Sequence, residues 1–338
     1  MQNRFDLIAD RVRERVRALM ADGTADRLLG WCEGDLYTDC TPFVFKGPDP
    51  LQAFVYNRFC PSNQSKYLVS ESRKDGRIIA LLKPCDTYGF NRLLHEKRID
   101  RDKVYIIGVE CDGMTDPDKL SALGIKGILS AHDSGDELVC DTLYGEKTVK
   151  RADVLLKKCL ACKGGEHMVY DELTYDKENE QPLSVRAIVP ENERYDEVAR
   201  LEGMTADERF EYWRGELSKC IRCNACRNVC PVCGCEQCVF DDPQSGVASK
   251  APADDFEENL FHIIRAFHVA GRCSDCGECA RVCPQNIPLD LINRKLIKDI
   301  NELYGEYCAG ADDETPSPLT AYTKTDCEPS VVKERGRA

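Results

Sequence analysis

The sequence has no apolar run of roughly 18 residues, the length that a membrane-spanning helix needs. Positive charge is in short supply: 46 Lys and Arg stand against 59 Asp and Glu, a formal net charge of −13. That balance excludes a nucleic-acid face and an anionic lipid surface, both of which call for basic patches. It reads first as an acidic, well-solvated surface. No G-x-G-x-x-G turn opens a helix after a strand, and no Walker A loop occurs. Histidine is scarce at five residues, and no Ser–His–Asp or Cys–His set can be assembled around them.

The first residues, MQNRFDLIADRVRERVRALM, lack the continuous apolar core of a secretory signal. Phe5, Ile8, Val12, Val16 and Leu19 recur every three or four positions, as on an amphipathic helix. Asp6, Asp10 and Glu14 set the segment apart from transit peptides, which avoid acids. The expected location is the cytoplasm, where thiols stay reduced. There the 21 cysteines, an odd number, point to metal or redox chemistry and away from a disulfide framework.

The pattern along the chain is helical to about residue 30, then α/β from Pro42 to about Pro190. PFVF and KYLVS read as short strands. RIIALL (77–82) and KVYIIGV (103–109) read as strands buried on both faces, with TYGFNRLLHEKR as the helix between them. The expected organisation is an α/β domain with a mainly parallel sheet over 1–190, a helical connector over 191–219, a bacterial-type two-cluster 4Fe–4S ferredoxin domain over 220–308, and a polar tail over 309–338. FEENLFHIIRAFHVAG reads as a helix inside the third segment, after the loop DDPQSGVASKAPADD.

Seven cysteines crowd into CIRCNACRNVCPVCGCEQC, residues 220–238. CSDCGECARVCP, beginning at Cys273, repeats its first part with the same C-x2-C-x2-C-x3-C-P spacing. A cubane needs four thiolates in tetrahedral array. Three cysteines in step wrap one side of it, and in two-cluster ferredoxins the fourth of each run serves the other cluster. The assignment is therefore crossed: Cys220, Cys223, Cys226 and Cys283 for cluster 1, and Cys273, Cys276, Cys279 and Cys230 for cluster 2. Pro231 and Pro284 fix the turn after each fourth cysteine. Zinc also takes C-x2-C pairs, but not three cysteines in step followed by Cys-Pro, twice. Two clusters pass single electrons, so this domain is a wire with something else at each end. Cys233, Cys235 and Cys238 are left as filler or supporting thiols. Cys32, Cys40, Cys60, Cys140, Cys308 and Cys327 have no motif and read as structural.

Cys85 and Cys111 follow the two buried strands, so a parallel sheet would bring them to the same edge. Cys159 and Cys162 form a further C-x2-C pair, and Gly164 and Gly165 permit close backbone approach. These four thiols suit a third 4Fe–4S cluster. They equally suit a zinc site or ordinary buried cysteines. His167, just beyond the pair, is placed to hydrogen-bond a cluster sulfur. His262 and His268 read as packing residues on one face of a helix.

KPCDTYGFNRLLHEKRIDRDKVYIIGVECDGM, KKCLACKGGEHMVYDEL and CRNVCPVCGCEQCVFD together resemble the family of the formate dehydrogenase β subunit and the deazaflavin-reducing hydrogenase β subunit. The similarity runs over about residues 20–300. Pro-Cys after a strand and the later C-x2-C are its shared features. Family members often carry the ferredoxin segment at the N-terminus, whereas here it follows the α/β domain. The resemblance implies that the third cluster exists beside a flavin, FAD, held in the α/β domain. Lys83, Asp86 and Thr87 are the candidate flavin contacts; the alternative is that they cap and solvate the helix beginning at Asp86. The function implied is an electron-transfer subunit of a cytoplasmic anaerobic oxidoreductase. It would relay electrons between a catalytic subunit of formate dehydrogenase or hydrogenase type and a flavoprotein. A flavoenzyme subunit acting on a deazaflavin or nicotinamide coenzyme is the alternative, and a zinc-bearing scaffold the third.

Overall fold

The computed structural model describes residues 4–47, 49–163, 165–189, 193–242, 244 and 255–321. Gly164, Cys327, most of the loop between the two cysteine motifs and the tail beyond residue 321 lie outside the described residues. The chain divides into two units, Met1–Arg194 and Tyr195–Ala338.

In the first unit the strands are β1 (Arg27–Glu33), β2 (Cys40–Lys46), β3 (Phe54–Val55), β4 (Ile78–Leu82) and β5 (Val104–Gly108). They are followed by β6 (Ile128–Ser134), β7 (Glu137–Thr142), β8 (Gly145–Lys150) and β9 (Glu172–Leu173). The main sheet has the order β2-β1-β4-β5-β9, with β3 also on β1. The pairs β1/β4, β4/β5 and β5/β9 are parallel, while β2 and β3 run antiparallel to β1. This is a mixed, mainly parallel α/β sheet.

The apolar runs sort by strand period onto two faces. Ile79, Leu81 and Ile107 join the helix Arg4–Ala21 through its buried Phe5, Ile8, Val12, Val16 and Leu19. Ile78, Ala80, Leu82, Val104 and Ile106 pack with Phe90 and Leu93 of the helix Pro84–His95. Each strand residue thus faces one helix or the other, and β4 is buried along its whole length.

Two strand and helix expectations need correction. The first helix stops at Ala21, and residues 27–33 are the strand β1, not more helix. Gly23, at φ +79°, takes the left-handed turn that ends the helix. KYLVS is not a strand but a 3-10 turn (Ser65–Tyr67) running into a helical turn (Leu68–Glu71). Asn63 starts it by accepting the Ser65 N–H at 3.0 Å, a side-chain-closed turn that five residues of strand propensity cannot outweigh. A separate antiparallel sheet of β6, β7 and β8 was not foreseen, because its outer strands alternate too weakly to stand out.

The second unit is helical. Thr205 and Glu208 cap Ala206–Leu217 reciprocally: Thr205 Oγ1 accepts the Glu208 N–H at 3.3 Å, and Glu208 accepts the Thr205 N–H at 2.9 Å. The two cysteine repeats follow the same path. Each C-x2-C turn feeds a short helix, Ala225–Val229 in the first and Glu278–Arg281 in the second. Asn224 and Gly277 precede those helices at φ 60° and 67°, the left-handed region that asparagine and glycine tolerate best. Two longer helices, Asp255–Val269 and Leu289–Tyr304, complete the unit. Among the described residues no helix is long and apolar enough to cross a membrane.

Candidate metal centres

Two cavities open in the second unit, and their walls carry the crossed thiol sets. One is lined by Cys220, Cys223 and Cys226 of the first repeat and by Cys283 of the second. The other is lined by Cys273, Cys276 and Cys279 of the second repeat and by Cys230 of the first. The cause lies in the repeat itself. Three cysteines sit on the turn and first helical residues, whereas the fourth falls after the short helix and faces the neighbouring turn. Packing of Cys226 with Cys279, Ile287 and Leu289, and of Cys230 with Val232, Val269 and Cys273, holds the two turns against each other.

Each repeat also aims a backbone N–H at its first sulfur. Arg222 N donates to Cys220 Sγ and Asp275 N to Cys273 Sγ, both at 3.4 Å. Asn293 Nδ2 donates to Cys279 Sγ at 3.7 Å. Donors of this kind stabilise thiolate and are what an anionic metal–sulfur centre requires.

Burial drives most of these thiols the other way. It pushes Cys220 up to about 12 and raises Cys226, Cys273, Cys276 and Cys279 above the ordinary thiol value. Buried thiols crowded into one cavity resist ionising together unless a cation joins them, so the donor set fits a metal centre of several positive charges. Cys230 is the exception, drawn down to about 6 chiefly by a hydrogen bond from Cys233, against the cost of burial. Cys233 thus sits against Cys230, one of the thiols lining the second cavity. Cys238 packs beside Phe240 and Phe261, and Cys235 is exposed.

His262 departs from its expected packing role. It lines the first cavity while 3% exposed, and one of its ring nitrogens lies within 4.8 Å of Cys220 Sγ and of a Glu258 oxygen. Burial, then the Arg265 and Arg222 guanidiniums, hold its imidazole down to about 3. Helical periodicity could not pick it out, because the same face is apolar at Phe261 and Val269.

In the first unit, Cys85 stands in the first turn of the helix after β4, and Cys111 stands just past β5. Cys159 lies in the helical turn Lys157–Leu160. The thiols of Cys85 and Cys162, of Cys111 and Cys159, and of Cys159 and Cys162 feel one another's charge. All four thus gather at the carboxyl edge of the parallel strands. Burial is the main cause that raises Cys85 and Cys159 and takes Cys111 up to about 12. Met114 N donates to Cys159 Sγ at 3.3 Å. His167 sends Nε2 to the Leu82 carbonyl at 3.0 Å instead of to a sulfur.

Lys83, Asp86 and Thr87 are all buried and engaged within the unit. Lys83 Nζ donates to the carbonyls of Ser62 at 2.8 Å and Cys60 at 3.1 Å, and stands 4.1 Å from the Trp31 ring centre. Asp86 accepts the Lys83 backbone N–H at 3.1 Å, and Thr87 Oγ1 donates to the Pro84 carbonyl at 2.6 Å. The helix begins at Pro84, two residues earlier than expected, because proline suits the first helical position.

A family described as a 4Fe–4S dicluster domain matches residues 216–287. The F420-dependent formate dehydrogenase subunit beta of Methanocaldococcus jannaschii is 22% identical, over 83% of this chain and 86% of that protein. The F420-dependent formate dehydrogenase 1 subunit beta of Methanococcus maripaludis is 26% identical, over 89% of this chain and 90% of that protein. The F420-reducing NiFe hydrogenase complex of Methanosarcina barkeri aligns over 48% of this chain and 63% of its own with a TM-score of 0.39 and 16% identity, a likeness too slight to bear on function.

Proposed function

We propose that this chain, an iron–sulfur protein related along most of its length to F420-dependent formate dehydrogenase β subunits, is the electron-relaying subunit of a multi-subunit anaerobic oxidoreductase. One observation carries the reading: each cavity of the second unit takes three thiols from one repeat and the fourth from the other. Cys220, Cys223, Cys226 and Cys283 hold one 4Fe–4S cluster, and Cys273, Cys276, Cys279 and Cys230 hold the second. Such clusters supply one-electron exchange and accept no hydride. The chain's own part is to hold the sulfurs, aim N–H donors at them and keep most of them from water.

Cys85, Cys111, Cys159 and Cys162 hold a third cluster at the edge of the parallel sheet. The chain connects a catalytic subunit of formate dehydrogenase or hydrogenase type to a flavoprotein or other redox partner. The second reading is a flavoenzyme subunit that binds FAD in the first unit and itself reduces or oxidises a deazaflavin such as F420. What favours it is the gathering of thiols at the sheet edge where α/β proteins bind ligands.

Anaerobic purification with iron, sulfide and flavin quantified, and co-purifying chains identified, tests both. The relay reading expects about eight or about twelve iron atoms per chain and partner subunits. About one FAD per chain, retained after the clusters are removed, selects the flavoenzyme reading. A dithionite-treated sample silent in low-temperature EPR, with no bound iron by Mössbauer spectroscopy, overturns both.

A further inference from the structure

The helix Asp255–Val269 runs past both thiol cavities. Phe261 and His262 line the cavity of the Cys220 set. Val269 packs with Cys230 and Cys273 of the other set. Arg265 lies between them on the same helical face, three residues after His262 and four before Val269. It is 4% exposed. Its Nη2 donates to the carbonyl of Cys226 at 3.0 Å, and its Nε has no hydrogen-bond partner among the described residues.

Among the described residues no carboxylate pairs with this guanidinium. Half-buried Arg222 and buried Arg294 differ: Arg222 reaches Glu258 at 2.6 Å, and Arg294 reaches Asp275 at 3.1 Å and Asp290 at 3.3 Å. A buried cation without a counter-ion is expensive, because the interior cannot replace the water it has lost. The groups that favour the guanidinium's charge are the sulfurs of Cys279, Cys230 and Cys226, drawn from both thiol sets, together with that of Cys233.

We propose that Arg265 is the shared counter-ion of the two clusters, a single fixed cation that holds both of their reduction potentials up. The inference rests on the cluster reading above. Adding an electron makes a thiolate-bound cluster more negative, so a cation in low dielectric beside it favours the reduced form. A cation placed between two clusters acts on both. Arg265, 4% exposed, is a positioning charge, not a ligand.

The test is an anaerobic redox titration of the full chain followed by EPR, on the parent protein and on Arg265→Met, Arg265→Gln and Arg265→Lys. Expected are two midpoints that both move negative in the Met and Gln variants, by similar amounts, and that return toward the parent values in Lys. A shift of one midpoint alone, or of neither, overturns the shared role. If Arg265→Met does not hold iron, Gln against Lys decides: equal midpoints in those two variants overturn the proposal, and higher midpoints in Lys at both clusters uphold it. A parent protein without iron and acid-labile sulfide overturns the cluster reading itself, a result distinct from any of these.

Discussion

Arg222 and Asp275 occupy matching places in the two cysteine repeats, with φ of 53° and 54°, and each donates its backbone N–H to the first sulfur of its own repeat at 3.4 Å. Asp275 tolerates the left-handed region, whereas for the Arg222 side chain it costs roughly 1–2 kcal/mol. Their side chains bear opposite charges and find opposite partners, Glu258 for Arg222 and Arg294 for Asp275. The repeat therefore preserves a backbone cradle and leaves the side chains to differ.

Cys279 is buried and lines the cavity of the second thiol set. Cys279→Ala should remove or convert one cluster and leave the other. Iron and sulfide analysis with EPR checks this; unchanged spectra and unimpaired electron relay would contradict the ligand set.

The thiols at the sheet edge give a sharper count. Cys159→Ala should lower iron from about twelve to about eight atoms per chain, since one cubane carries four. A parent protein that already holds about eight would remove the third site.

Lys83 is 1% exposed, 3.5 Å from the carboxylate of Asp86, which is itself fully buried. Lys83→Met removes the buried cation beside that carboxylate and should destabilise the first unit by about 3–5 kcal/mol. Chemical denaturation measures it, and a loss under about 1 kcal/mol would show that Asp86 is satisfied without the lysine.

His167 has its pKa pushed down to about 4, first by burial, and is 6% exposed. The sign follows from the proton count. Above pH 6.5 both the folded and the unfolded imidazole are neutral, and stability does not change. Below it the unfolded chain takes up a proton that the folded chain refuses, so stability falls until pH reaches about 4. Between pH 6.5 and 5 the loss should be ~2 kcal/mol. His167→Phe should flatten that part of the denaturation-against-pH curve, and an unchanged slope would assign the dependence to other groups.

The crossed thiol sets were legible because spacing alone fixes which cysteines share a turn and which must reach across. The parallel strands were legible because Ile78–Leu82 and Val104–Gly108 are apolar on both faces. β1 was hidden, since RLLGWC continues an apolar pattern that began in a helix, and only the short stretch 22–26, turning at Gly23, separates them. Arg265 and His262 could not be found from the sequence. Their importance depends on which face of the helix Asp255–Val269 meets the cavities, and an arginine in an amphipathic pattern ordinarily points to water. That no carboxylate among the described residues pairs with Arg265 is a three-dimensional fact.

Because each cavity borrows a sulfur from the other repeat, neither is complete on a nascent chain until the stretch from Cys273 to Cys283 has been synthesised. On the cluster reading, iron delivery must then follow translation of both repeats. A chain truncated between the repeats would leave the ribosome with open, oxidisable thiol turns and no site able to retain a cubane.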